Sequence, residues 1–78
     1  MRDLVEFVVR ALVDDPDSVR VEELDEDGTV VLEVHVGRED LGRVIGKEGR
    51  VANAIRTLAK ASATAQDAGR VNVEIVED

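Results

Sequence analysis

Apolar residues near the start of the chain recur with helical spacing: Leu4, Phe7, Val8, Ala11 and Leu12 share one stripe within residues 3–13. This predicts an amphipathic helix whose stripe, Phe7 included, faces the core. Asp14-Asp15-Pro16-Asp17 ends the pattern with a proline that resists helix continuation. The period then changes from helical to alternating. Val19 and Val21 begin a short run, and from Thr29 to Val36 the residues Val30, Leu32, Val34 and Val36 alternate with Thr29, Val31, Glu33 and His35. Asp27-Gly28 between the two runs predicts a hairpin. Glu23-Leu24 breaks the alternation of the first run and predicts a bulge or an early end there.

After Gly37, Leu41, Val44 and Ile45 form a short apolar stripe that stops at Gly46. From Arg50, the residues Val51, Ala54, Ile55, Leu58 and Ser62 trace a longer helix face, and alanines at 52, 54, 59, 61, 63 and 65 support helix. Gln66 to Gly69 reads as a turn. Val71, Val73 and Ile75 then alternate with Arg70, Asn72 and Glu74 into a last strand ending near Val76. The order α-β-β-α-α-β predicts an α+β fold, one three-stranded sheet packed against three helices, in a single domain spanning 1–78 with no linker or repeat.

Composition narrows the chemistry. The chain has no cysteine and one histidine, His35, so disulfides, thiolate metal sites and histidine-based nucleophile triads lack their parts. No catalysis, metal or cofactor is expected. Glu23, Asp25, Asp27 and Gly28 imitate the opening of a calcium loop, but its twelfth position would be Val34, where a bidentate Glu belongs. His35 lies on the strand face opposite Val34 and Val36, which predicts partial exposure or a structural hydrogen bond. Asp3 and Glu6 interrupt the first helix and no apolar run approaches membrane-spanning length, so a soluble cytoplasmic protein away from membranes is expected.

Net charge is -8, which by itself argues against a nucleic-acid partner. Its distribution argues the other way. Residues 38–60 carry Arg38, Arg43, Lys47, Arg50, Arg56 and Lys60 against Glu39, Asp40 and Glu48, a local +3 that leaves -11 for the rest. A basic working face on an acidic body follows. Within that window Val44-Ile45-Gly46-Lys47-Glu48-Gly49-Arg50 places two glycines three apart between two helical segments. Glycines let a short loop bring backbone N–H groups against another backbone, and the following helix points its positive end at the loop. Arg43, Lys47 and Arg50 bracket this helix-GxxG-helix, so an anion such as a sugar-phosphate chain is the expected visitor. A nucleotide-hydrolase phosphate loop does not fit, because Gly42 to Gly46 is one residue short and Lys47 precedes Glu48 rather than Ser or Thr. Arg56 and Lys60, at i and i+4, read as a solvated helix face.

The segment Val44 to Arg50 followed by Ile55, with a helix and strand preceding strand-helix-helix-strand, resembles a type II KH domain. From Leu4 through Val76 the chain is similar to the small stand-alone bacterial KH-domain RNA-binding proteins of the KhpA type. The resemblance implies a single-stranded RNA binder whose GxxG loop clamps the backbone of about four nucleotides beside an apolar groove. Gly46, Lys47, Glu48 and Gly49 are then the clamp and Arg50 and Arg43 flank it. Ile45 and Val44 belong either to the groove or to the core beneath it, and Val36 and Leu41 are further groove positions. It also implies a homodimer, or a heterodimer with a larger KH-containing RNA-binding protein, acting as an RNA chaperone or post-transcriptional regulator. Glu48 departs from expectation, since it offsets Lys47 where phosphate should sit. The alternative is a KH fold whose apolar surface serves dimerisation and whose RNA affinity is negligible.

Overall fold

The computed structural model describes all 78 residues, Met1–Asp78. Asp27 and Gly28 both take left-handed φ angles, 55° and 85°, the turn that suits the right-handed twist of paired strands. The Asp25 carboxylate accepts the Gly28 N–H at 3.1 Å and fixes that turn. It joins strand β1 (Arg20–Glu26) to strand β2 (Thr29–Val36) as an antiparallel hairpin. Pairing runs one to one from Arg20 opposite His35 to Glu26 opposite Thr29, so the bulge expected at Glu23-Leu24 does not form. Val21 is the one buried residue of β1. Backbone pairing to β2, rather than an apolar pattern, carries this edge strand to the turn.

Strand β3 (Arg70–Glu77) lies parallel to β2 on its other side, giving the order β1-β2-β3. A parallel neighbour requires a crossover, and two helices supply it: the short α2 (Leu41–Ile45) and the long α3 (Arg50–Ala65). With the first helix, α1 (Arg2–Leu12), they cover the sheet face that carries Val21, Leu32, Val34, Val36, Val71 and Val73. The expected α+β order is the observed one.

Which helix residues reach the core differs from expectation. In α1 the fully buried residues are Val5 and Val9, whereas Leu4, Ala11 and Leu12 are exposed and Phe7 keeps 72% of its surface in solvent. Phe7 is therefore not core. The helix is apolar over two adjacent stripes, and the stripe of smaller valines is the one that meets the sheet. In α3 the buried stripe is Ala52, Ile55, Ala59 and Ala63, while Ala54 is exposed and Val51 and Leu58 are half-buried. Alanines let α3 lie close against β3, and the larger side chains are left on its outer flank.

A buried carboxylate locks this layer together. Asp40, 3% exposed, accepts the backbone N–H groups of Asp14 and Asp15 at 3.0 Å each, tying the chain that leaves α1 to the entry of α2. No helix is long and apolar enough to cross a membrane.

Candidate nucleic-acid interface

Helix α2 ends because Gly46 takes φ 75° and ψ 174°, a region open essentially to glycine alone. Its N–H closes the helix on the Gly42 carbonyl at 2.8 Å. A Cβ at this position would fall within 2.9 Å of both the Cβ and the backbone nitrogen of Val51. Lys47, Glu48 and Gly49 then form one tight turn, with the Gly49 N–H donating to the Gly46 carbonyl at 3.2 Å. Glu48 (φ 57°, ψ 24°) and Gly49 (φ 75°, ψ 14°) are both left-handed, and α3 starts directly afterwards with no side chain capping it. The loop thus offers bare backbone and the positive end of a sixteen-residue helix to solvent.

Around this turn the side chains divide. Lys47, Glu48 and Arg50 are exposed, as is Ile45 at 38%, so these positions share one surface with the two glycines. Val44 and Val36 are fully buried and belong to the core, which decides the question that spacing left open for Val44 and removes Val36 from the groove. Leu41 is partly buried and packs against that core. Arg43 donates to Asp14 at 2.9 Å and lies 3.4 Å from Asp40, so its charge serves the link between α1 and α2. Glu48 leans toward Arg50, at 3.9 Å, rather than toward Lys47. Such an exposed pair is worth little and gives way readily to a stronger anion.

Beside α3 the structure adds a feature that the sequence reading passed over. Arg56 and Lys60 line a polar hollow with Val71, Asn72, Val73 and Glu74, between α3 and the outer edge of β3. The Arg56 Nε–H donates to the Val73 carbonyl at 3.4 Å and its Nη1 to Asn53 at 3.2 Å, which holds the guanidinium across the hollow. Spacing of the two cations one turn apart along the helix that leaves the loop was the available signal. Its meaning depended on β3 lying alongside. Of the ten Lys and Arg residues, Lys47, Arg56, Lys60 and Arg70 have no carboxylate within 4.0 Å, and the first three run from the loop along α3. On the opposite flank of α3, Val51, Ala54 and Leu58 join Val8 and Leu12 of α1 in a shallow apolar groove.

Residues 2–75 match the family model described as KhpA/KhpB, KH domain. Among similar proteins, the RNA-binding protein KhpA of Caldanaerobacter subterraneus subsp. tengcongensis is 49% identical over 76 residues, covering 97% of this chain and all of that protein. The RNA-binding protein KhpA of Leifsonia xyli subsp. xyli is 52% identical over 71 residues, covering 91% and 90%. Two solved structures share the fold: Aquifex aeolicus Era, TM-score 0.64, and Era in complex with nucleotides 1506–1542 of 16S ribosomal RNA, TM-score 0.65. Each is 18% identical over 99% of this chain, which spans 31% and 30% of their lengths. The matched family is not one of enzymes. With its helix-GxxG-helix, its three-stranded sheet and full-length identity to these relatives, the chain belongs to the KhpA/KhpB KH-domain family.

Proposed function

We propose that this chain is a single KH domain that binds single-stranded RNA by clamping the sugar-phosphate backbone on the Gly46–Gly49 turn. The observation that carries the reading is the turn itself: a glycine-only conformation at Gly46 and two left-handed residues after it expose backbone N–H groups with little side chain in front of them. Family membership and the names of the relatives support RNA as the ligand. Lys47 and Arg50 supply positive charge beside the phosphates, Ile45 offers apolar contact to a base, and the hollow under Arg56 and Lys60 continues the track. Phe7, the only aromatic residue, lies on α1 and not on this track, so base stacking on rings is absent and sequence preference is loose.

The proposal includes self-association, or pairing with a larger KH-containing RNA-binding protein, and a cytoplasmic role in RNA chaperoning or post-transcriptional regulation. The apolar groove between α1 and α3 and the exposed Phe7, Leu4 and Leu12 support an interface there. The same patch, with the net charge of -8 and the Glu48–Arg50 pair, favours a second reading in which the fold serves association alone.

Fluorescence anisotropy of a labelled single-stranded RNA pool separates the two. The wild type should bind with log K falling with log salt by about 0.7 per phosphate contact, and the Lys47→Asp, Glu48→Asp double variant should lose binding while keeping its circular dichroism spectrum. Absence of binding by the wild type, or equal binding by both proteins, supports the association module instead.

A further inference from the structure

The sheet face turned away from the helices carries a group of side chains that RNA binding does not use. Glu22, Glu33 and Glu74 stand in register across β1, β2 and β3, an arrangement that repels, since like charges directly opposite one another on a sheet destabilise it. His35, two residues from Glu33 on the same face, is 9% exposed. Its Nε2 lies 3.4 Å from the Glu33 carboxylate and 3.9 Å from Glu22 Oε2, and its Nδ1 lies 3.7 Å from Asp78 Oδ1. The Glu33 contact is a long hydrogen bond, and the other two separations lie well beyond the roughly 2.7–3.2 Å of an ordinary N–H···O bond. A nearly buried imidazole thus faces three carboxylates with a single long hydrogen bond, to Glu33.

These distances have the size that a small ion would set. Ligand atoms about 2.0–2.2 Å from a tetrahedral metal sit about 3.3–3.6 Å from one another. One atom each from Glu22, Glu33 and His35 lie within 4.8 Å of one another, and Glu22, 45% exposed along its side chain, has room to turn inward. Arg20 Nε holds the other oxygen of Glu22 at 3.2 Å, leaving Oε2 toward His35. Asp78 stands on the far side of the ring, where a carboxylate accepting the Nδ1 proton would orient a metal-bound histidine and leave the Nε2 lone pair free. A cation held by Nε2 and the two carboxylates would replace the one proton that Nε2 can otherwise share with Glu33, and would offset both negative charges at once.

We propose that Glu22, Glu33 and His35 form a site for a borderline divalent cation of the Zn²⁺ class, which would pin β1 to β2 on the open face of the sheet. The imidazole excludes Mg²⁺ and Ca²⁺ as preferred ions, because these take oxygen ligands. The site is independent of the RNA-binding reading, since none of its residues lies on the loop or along α3. One histidine and no cysteine, read along the chain, conceal it; register across two strands assembles it.

Isothermal titration of the full chain with ZnCl₂, and separately with MgCl₂, tests this. One Zn²⁺ per chain is expected, with a rise in melting temperature of several degrees at saturation and weak or no response to Mg²⁺. Glu22→Gln should weaken Zn²⁺ binding at least about ten-fold, a loss that even outer-shell changes produce, without lowering the metal-free melting temperature, since it also relieves the repulsion with Glu33. His35→Asn should abolish the visible absorption of the Co²⁺ form. Absence of saturable binding, equal affinity for Mg²⁺, or Zn²⁺ binding undiminished in Glu22→Gln overturns the assignment.

Discussion

The two glycines of the loop are not equivalent, and replacing each by alanine should separate what the fold needs from what the ligand needs. At Gly46 an alanine meets two penalties. The backbone at φ 75°, ψ 174° costs about 1–3 kcal/mol for a residue with a Cβ, and the overlap with Val51 backbone and Cβ at 2.9 Å adds about 1–3 kcal/mol of overpacking. Lower entropy of the unfolded chain returns about 0.4–1 kcal/mol, leaving a loss of roughly 1–5.5 kcal/mol. At Gly49 the conformation is ordinary left-handed helix, worth about 1–2 kcal/mol against alanine, and an added Cβ meets nothing within 4 Å. After the same entropic offset the loss is about 0–1.5 kcal/mol. A chain of this length holds about 4–12 kcal/mol in total, so Gly46→Ala removes a large share and Gly49→Ala a small one. Urea denaturation followed by far-UV circular dichroism should show a large fall in midpoint for Gly46→Ala and a modest one for Gly49→Ala, at an unchanged slope. Gly49→Ala, still folded, should nonetheless bind RNA more weakly if the proposed clamp is right, because its methyl group would then stand where phosphate approaches. Equal destabilisation by the two substitutions, or a greater loss at Gly49, would refute the assignment of fold to the first glycine and access to the second.

Two further outcomes follow from the packing. Asp40→Asn should cost about 2–4 kcal/mol, because one of two charge-assisted hydrogen bonds to the Asp14 and Asp15 N–H groups becomes a donor facing a donor and Arg43 loses a partner; a midpoint shift no larger than that of the exposed Asp14→Asn would contradict the link. Phe7→Gln should change stability by no more than about 0.5 kcal/mol, whereas Val5→Ala, fully buried one stripe away, should cost about 2 kcal/mol, and sedimentation equilibrium should show Phe7→Gln weakening self-association. A large stability loss from Phe7→Gln in the monomer would return Phe7 to the core.

Element order was legible along the chain because each signal was local. Asp27-Gly28 specified the hairpin, Gly46 stopped one helix, Gly69 preceded the last strand, and the structure follows all three. Which apolar stripe faces inward was not local. In α1 and α3 two stripes compete, and the sheet accepts the narrower one, Val5 and Val9 or the alanines of α3, because helices seated on small side chains approach it more closely. A rule that sends the largest apolar residues to the core therefore misplaces Phe7 and Leu58. Phe7 stays exposed and Leu58 half-buried because burial elsewhere already satisfies the core. Val44 and Ile45 show the same limit at the site: adjacent in sequence and about 100° apart on the helix, one is buried and the other exposed, and the helix is too short for its pattern to say which is inner.

Charge was legible in sign but not in its reason. The local +3 of residues 38–60 counts Arg38 and Arg43, yet the fold pairs Arg38 with Glu77 and Arg43 with Asp14 and Asp40. Removing those two from the count lowers the local balance to +1 and thins the basic face. It survives because the carboxylates of the window are also consumed: Asp40 is buried in its backbone hydrogen bonds and Glu48 leans on Arg50. What remains unpaired is Lys47, Arg56 and Lys60, spaced from the loop along α3 beside β3. Free cations, not net charge, determine where a phosphate chain is attracted, so a protein of net charge -8 presents one track on which neutralisation is still to be gained. The acidic remainder repels the same polymer from the sheet face. On the proposed reading, three free cations would give modest affinity in a single orientation, which pairing with a second copy or a second RNA-binding domain would strengthen.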